Sequence, residues 1–95
     1  MTDQKELDRQ RGINARLLLE TPLLVEAFAE TRKEYIAAWE KTPVRDHEGR
    51  EKLWLMVRTL DKVKGHLQTV MEGGKLAERE LTDLQEKGKL RRLFG

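Results

Sequence analysis

The sequence contains no cysteine, two prolines, two histidines and only 5% aromatic residues. Without cysteine there is no disulfide framework, thiolate zinc site or cysteine nucleophile, so the chain must be held by packing or by a partner chain. No run approaches the roughly 18 apolar residues of a membrane span, and Met1 to Gln10 is charged where a signal peptide needs an apolar stretch. These absences set the expectation of a soluble, cytoplasmic protein that makes no use of a membrane. His47 and His66 lie nineteen residues apart with no His-x-x-x-His pair, so neither a metal nor another cofactor is expected. An excess of one charge is also missing. Nineteen Lys and Arg stand against seventeen Asp and Glu, a formal net charge of +2, too small to create a strong field over the whole surface.

What is abundant is helix-forming chemistry. Ala, Glu, Lys, Leu and Arg supply more than half of the 95 residues, which makes all-α the expected fold class. A first helix is predicted from Asp3, with Glu6 three residues on, to about Glu20, with Leu7, Ile13, Leu17 and Leu18 near one another and Gly12 as a weak point. Thr21-Pro22 should open a second helix, the threonine side chain capping it and the proline occupying its first position. That helix, to about Lys41, carries Val25, Phe28, Ala29, Tyr35, Ile36 and Trp39 on one stripe interrupted by Arg32. Thr42-Pro43 should end it.

A third helix, predicted from an Asp46 cap to Glu72, has the strongest periodicity. Leu53, Leu60 and Leu67 repeat every seven residues, with Met56, Val63 and Val70 between them, as in a coiled-coil seam. Gly73-Gly74 is predicted to stop it, since glycine adopts the left-handed conformation of a helix C-terminus without penalty. A short fourth helix should run from Lys75 to about Lys87, and Gly88 should interrupt it. The expected organisation is one helical domain over 1–88 followed by a basic and apolar tail over 89–95. Helices two and three should form an antiparallel hairpin with shorter flanking helices, and Trp54, Leu55 and Val57 fall off the seam. Their burial would require the outer helices or a second subunit, so a homo-oligomeric bundle is expected.

Little in the pattern suggests catalysis. The carboxylates are interleaved with Lys and Arg at helical spacing, which marks a solvated face. Glu72-Gly73-Gly74-Lys75 superficially resembles a phosphate cradle, but Thr69 stands where a P-loop needs glycine and Leu76 where it needs Ser or Thr. No nucleophile, base and orienting group converge, and a non-enzymatic protein is expected, with no catalytic or cofactor-binding residues. The candidate partner-binding residues are Leu90, Arg91, Arg92, Leu93 and Phe94 of the tail, with Trp54, Leu55 and Arg32 as further interface candidates. Tyr35, Trp39 and Trp54 are candidate anchors, since large aromatics contribute most area per residue. Arg58, Lys62, Lys87 and Lys89 are candidate phosphate contacts, which leaves nucleic acid open as an alternative partner.

The stretches Leu17-Leu18-Leu19-Glu20-Thr21-Pro22-Leu23-Leu24, Tyr35-Ile36-Ala37-Ala38-Trp39, and Gly49-Arg50-Glu51-Lys52-Leu53-Trp54 through Gly74-Lys75-Leu76-Ala77 resemble a group of short helical proteins encoded by tailed phages and prophages. The likeness covers residues 16–77. It implies a role in virion assembly, genome packaging or host takeover, carried out in the host cytoplasm or on the virion. The expected function is therefore that of a small assembly protein docking a larger phage structural or host protein. A nucleic-acid-binding packaging or regulatory factor and an inhibitor of a host protein are the alternatives.

Overall fold

The computed structural model describes the backbone from residue 2 to 94; Met1, Gly95 and the side chains of Thr2 and Phe94 lie outside the described residues. Three helices account for nearly all of it: α1 (Thr2–Glu20), α2 (Pro22–Lys41) and α3 (His47–Phe94). The all-α class is as expected, and no strand occurs among the described residues.

The punctuation between helices has local causes. Thr21 is extended (φ −70°, ψ 114°) ahead of Pro22, as the residue before a proline prefers. Its side chain makes no capping bond to α2, contrary to expectation. The break is instead spanned by backbone bonds from Thr21 N–H to the Leu18 carbonyl (3.1 Å) and from Val25 N–H to the Thr21 carbonyl (3.0 Å). At the far end, Thr42 is extended before Pro43, its N–H donates to the Trp39 carbonyl (3.1 Å), and its hydroxyl donates to the Ala38 carbonyl (2.7 Å). Asp46 caps α3 as expected: its carboxylate accepts the Gly49 N–H at 3.0 Å.

The stop expected at Gly73-Gly74 does not occur. α3 continues unbroken through both glycines and through Gly88 to Phe94, and none of the described glycines has positive φ. Without a left-handed residue there is no C-terminal cap at these sites. The predicted third and fourth helices and residues 89–94 of the predicted tail are thus parts of one 48-residue helix. The seven-residue repeat of Leu53, Leu60 and Leu67 also runs on, through Gly74, Leu81 and Gly88, each at least half-buried. Gly74 meets another helix there, whereas a Cβ on Gly88 would meet open space.

The chain divides into two compact units: Met1–Leu17 with Leu67–Gly95, and Leu18–His66. In the first, α1 meets the later part of α3, and later residues of α1 contact earlier residues of α3. Lys5 pairs with Glu80 (3.2 Å), and Gly12 lies against Gly74. A Cβ placed on either glycine would stand 2.5 Å from the other's Cα, so only two glycines permit this approach. The buried hydrophobic residues of this unit are likewise small, Ala15 and Ala77. α1 buries Gly12 and Ala15 and half-buries Ile13 and Leu19, while Leu7, Leu17 and Leu18 of its predicted apolar group are exposed.

In the second unit α2 meets the start of α3. Arg32 pairs with Asp61, and Trp39 meets Arg50, so the direction of contact is again reversed. Leu24, Phe28, Thr31, Tyr35 and Ile36 of α2 are half-buried, as are Leu53 and Leu60 of α3, and Val57 is buried. The predicted stripe of α2 is therefore rotated: Val25, Ala29 and Trp39 are exposed at its edge. The predicted seam of α3 is correct at Leu53 and Leu60, but Met56 and Val63 are exposed (41% and 51%), and Val57 takes the inward place.

The two neighbouring glycines make opposite predictions deep inside α3. Gly74→Ala should destabilise the protein by about 1–3 kcal/mol, because a packed backbone must separate. Gly73→Ala meets open space on the same helix and should stabilise by about 0.5–1 kcal/mol through helix propensity. Paired urea melts check this, and equal effects would contradict the close crossing.

Candidate functional site

The most developed surface lies in the second unit. Ile36 and Trp39 of α2 and Leu53, Trp54 and Val57 of α3 line a wholly apolar notch between the two helices. Trp39 and Trp54 remain 38% and 56% exposed. Each ring is faced by a guanidinium: Arg50 lies 4.1 Å from the Trp39 ring centre, and Arg58 lies 5.6 Å from that of Trp54, within reach of cation–π attraction.

Arg50 has a second task. One terminal nitrogen donates to the Thr42 carbonyl at 3.1 Å and to the Trp39 carbonyl at 3.4 Å. Both carbonyls belong to the end of α2, where orphan acceptors accumulate and the helix dipole is negative. A cation on the first turn of α3 thus closes the last turn of α2. Sequence reasoning missed Arg50; the available signal was a basic residue one turn into the helix that follows a Thr-Pro stop.

Arg32, an interface candidate, binds Asp61 at two points, Nε to Oδ1 at 3.0 Å and Nη2 to Oδ2 at 3.4 Å. Both side chains are about half exposed, and such a pair contributes about 0–1 kcal/mol. The other candidates are placed as follows. Leu55 is half exposed and shares a shallow depression with Arg58, Thr59, Asp61 and Lys62. Tyr35 is half-buried along α2. Lys87, Lys89, Leu90, Arg91, Arg92 and Leu93 are exposed on the last turns of α3, Leu93 at 76%. They form helix where a tail was expected, and two cations in the last turn suit the dipole of that end. The Phe94 side chain lies outside the described residues.

In the first unit, Arg9, Arg16, Lys75 and Glu78 surround the Gly12–Gly74 crossing and line a surface depression there. Arg9 also bonds Glu6, whose carboxyl this guanidinium holds below its ordinary range, chiefly by hydrogen bonding. Gly73 and Gly74 lie inside α3, where their amides belong to the helix and do not form an anion-binding N-terminus. No group of three or more His, Cys, Asp or Glu able to hold a metal occurs among the described residues. No described helix is long and apolar enough to cross a membrane.

The chain matches no family model, no curated protein and no solved structure. Functional inference therefore rests on its own surface.

The Arg50 clamp is testable against a surface pair on the same turn. Arg50→Ala should cost about 1–2 kcal/mol and shift the tryptophan emission, since it removes charge-assisted bonds and a ring contact. Lys52→Ala, which removes only the exposed 3.5 Å pair with Glu48, should change stability by less than about 0.5 kcal/mol. Indistinguishable denaturation curves for the two variants would refute the clamp.

Proposed function

We propose that the protein is a non-enzymatic helical assembly protein of phage or prophage origin, working in the host cytoplasm or on the virion. Its units complete their packing against further copies and its last turns dock a larger phage structural or host protein. α2 and the first half of α3 act as an antiparallel hairpin, and hairpins from separate chains form a bundle.

The observation that carries this reading is the disposition of apolar side chains. Among the described residues the only buried hydrophobic ones are Ala15, Val57 and Ala77, and no large side chain is fully buried. Leu23, Val25, Trp54, Leu55, Met56, Val63, Leu76, Leu84, Leu90 and Leu93 are all exposed. Each fully buried large apolar side chain contributes about 1.5–3 kcal/mol, so a second chain that covers these surfaces adds what one chain forgoes. Exposed apolar surface on this scale marks interaction sites.

The docking candidates are Leu90, Arg91, Arg92, Leu93 and Phe94, with Trp54, Leu55 and Arg32 on the body. Two large leucines on a cationic helix end suit a partner groove that is apolar with an acidic rim. The exposed cations Lys87, Lys89, Arg91 and Arg92, with Arg58 and Lys62, also favour a second reading in which the partner is nucleic acid.

Two measurements test these readings. If association completes the fold, the melting temperature rises steadily between about 1 and 100 µM protein, because mass action favours the associated native state. A melting temperature constant over that range contradicts assembly. A duplex-DNA titration at about 50 and 200 mM salt separates the partner classes, since phosphate contacts weaken steeply with salt. The assembly reading expects no saturable DNA binding at either salt, and tight binding with a steep salt slope replaces it with the nucleic-acid reading.

A further inference from the structure

Resting on the reading that copies of this chain cover one another, the face that pairs can be identified. We propose that two copies associate through the edge of the second unit that carries Val25, Arg32 and Trp39, about a two-fold axis centred on the Arg32–Asp61 pair.

Three observations converge there. Val25, Arg32 and Trp39 are spaced seven and seven residues apart on α2, and all three are exposed on one stripe. A two-fold axis at Arg32 with the two copies of α2 antiparallel therefore carries each Trp39 onto the partner's Val25, about 10 Å from the axis on either side. The surface at Trp39 is the wholly apolar notch closed by Ile36, Leu53, Trp54 and Val57. A branched aliphatic side chain is the size of knob that such a notch takes.

The centre is self-complementary in charge. Within one chain the pair uses only part of its capacity: a guanidinium has five N–H donors and a carboxylate about four acceptor sites. The two-fold axis brings Arg32 of each copy to Asp61 of the other, closing a ring of four alternating charges. Arg50 and Arg58, already seated over the tryptophans, rim the apolar part. Their charge opposes docking of the cationic last turns of α3 into the same notch, which is why the occupant is this face of a second copy rather than residues Leu90 to Leu93.

Charge reversal tests the centre in a way that separates contacts within a chain from contacts between chains. Arg32→Asp leaves four carboxylates at the axis and Asp61→Arg leaves four guanidinium groups. Each variant alone should associate at least about tenfold more weakly than the native chain. Mixed in equal amounts, the two should recover a one-to-one heterodimer in sedimentation velocity, with helicity by circular dichroism unchanged throughout. Variants that pair like the native chain, or a mixture that stays monomeric while the native chain pairs, overturn the proposed face and leave assembly through another face standing. A native chain that is itself monomeric overturns both.

The absence of native cysteine gives a second readout of register. Val25→Cys and Trp39→Cys chains, mixed and mildly oxidised, should form the 25–39 disulfide at least about tenfold faster than either variant links to itself. Equal rates for all three products overturn the two-fold register.

Discussion

Each unit of this protein is a pairing of two helical segments, and a side chain between two helices is covered from one side only. That constraint shapes everything else. A helix offers a pair partner a single stripe, and residues on either flank of it stay open to solvent unless a third or fourth helix arrives. Leu53, Val57 and Leu60 occupy the stripe in one unit. Gly74 and Ala77 occupy it in the other. The flanks hold Trp54, Met56 and Val63, so the surface that a larger bundle would use for its core remains on the outside.

The two units solve the pairing differently. Where α1 crosses α3, contact is made by removing side chains, with Gly12 against Gly74 and alanines to either side, so that backbones approach closely and dispersion replaces bulk. Where α2 meets α3, larger residues are half-buried and polar fixtures hold the ends: Arg50 on the last carbonyls of α2, Asp46 on the first amides of α3, and Arg32 on Asp61. The first arrangement tolerates no added methyl group at its centre. The second leaves a notch with two tryptophans at its rim, and the proposed pairing face lies there.

Much of the fold was legible in the sequence because it depends on local chemistry. Pro22 and Thr42-Pro43 bound α2 through constraints on their own and the preceding residue, and Asp46 caps α3 through a bond three residues away. Leu53, Leu60 and Leu67 marked one stripe of α3. Gly73-Gly74 was misread because a glycine that ends a helix and a glycine that admits another backbone look alike locally; Gly12, sixty-two residues earlier, decides between them. Of the candidate site, Arg32 was visible as a misfit on the α2 stripe and Trp54 as one beside the α3 seam, while Trp39 was legible as a large aromatic member of the stripe. Arg50 was not, since its partners are carbonyls in another helix, and neither was the edge position of Val25, which follows from how far α2 is rotated.

Coverage of the flanking apolar surface by another chain is the proposal on which assembly depends. Multi-angle light scattering of the native protein at micromolar concentration measures this most directly. Association predicts a mass of at least twice the 11.1 kDa of one chain. A mass of 11.1 kDa, together with a single cooperative melt, would show that the two-helix pairings suffice alone and would contradict it.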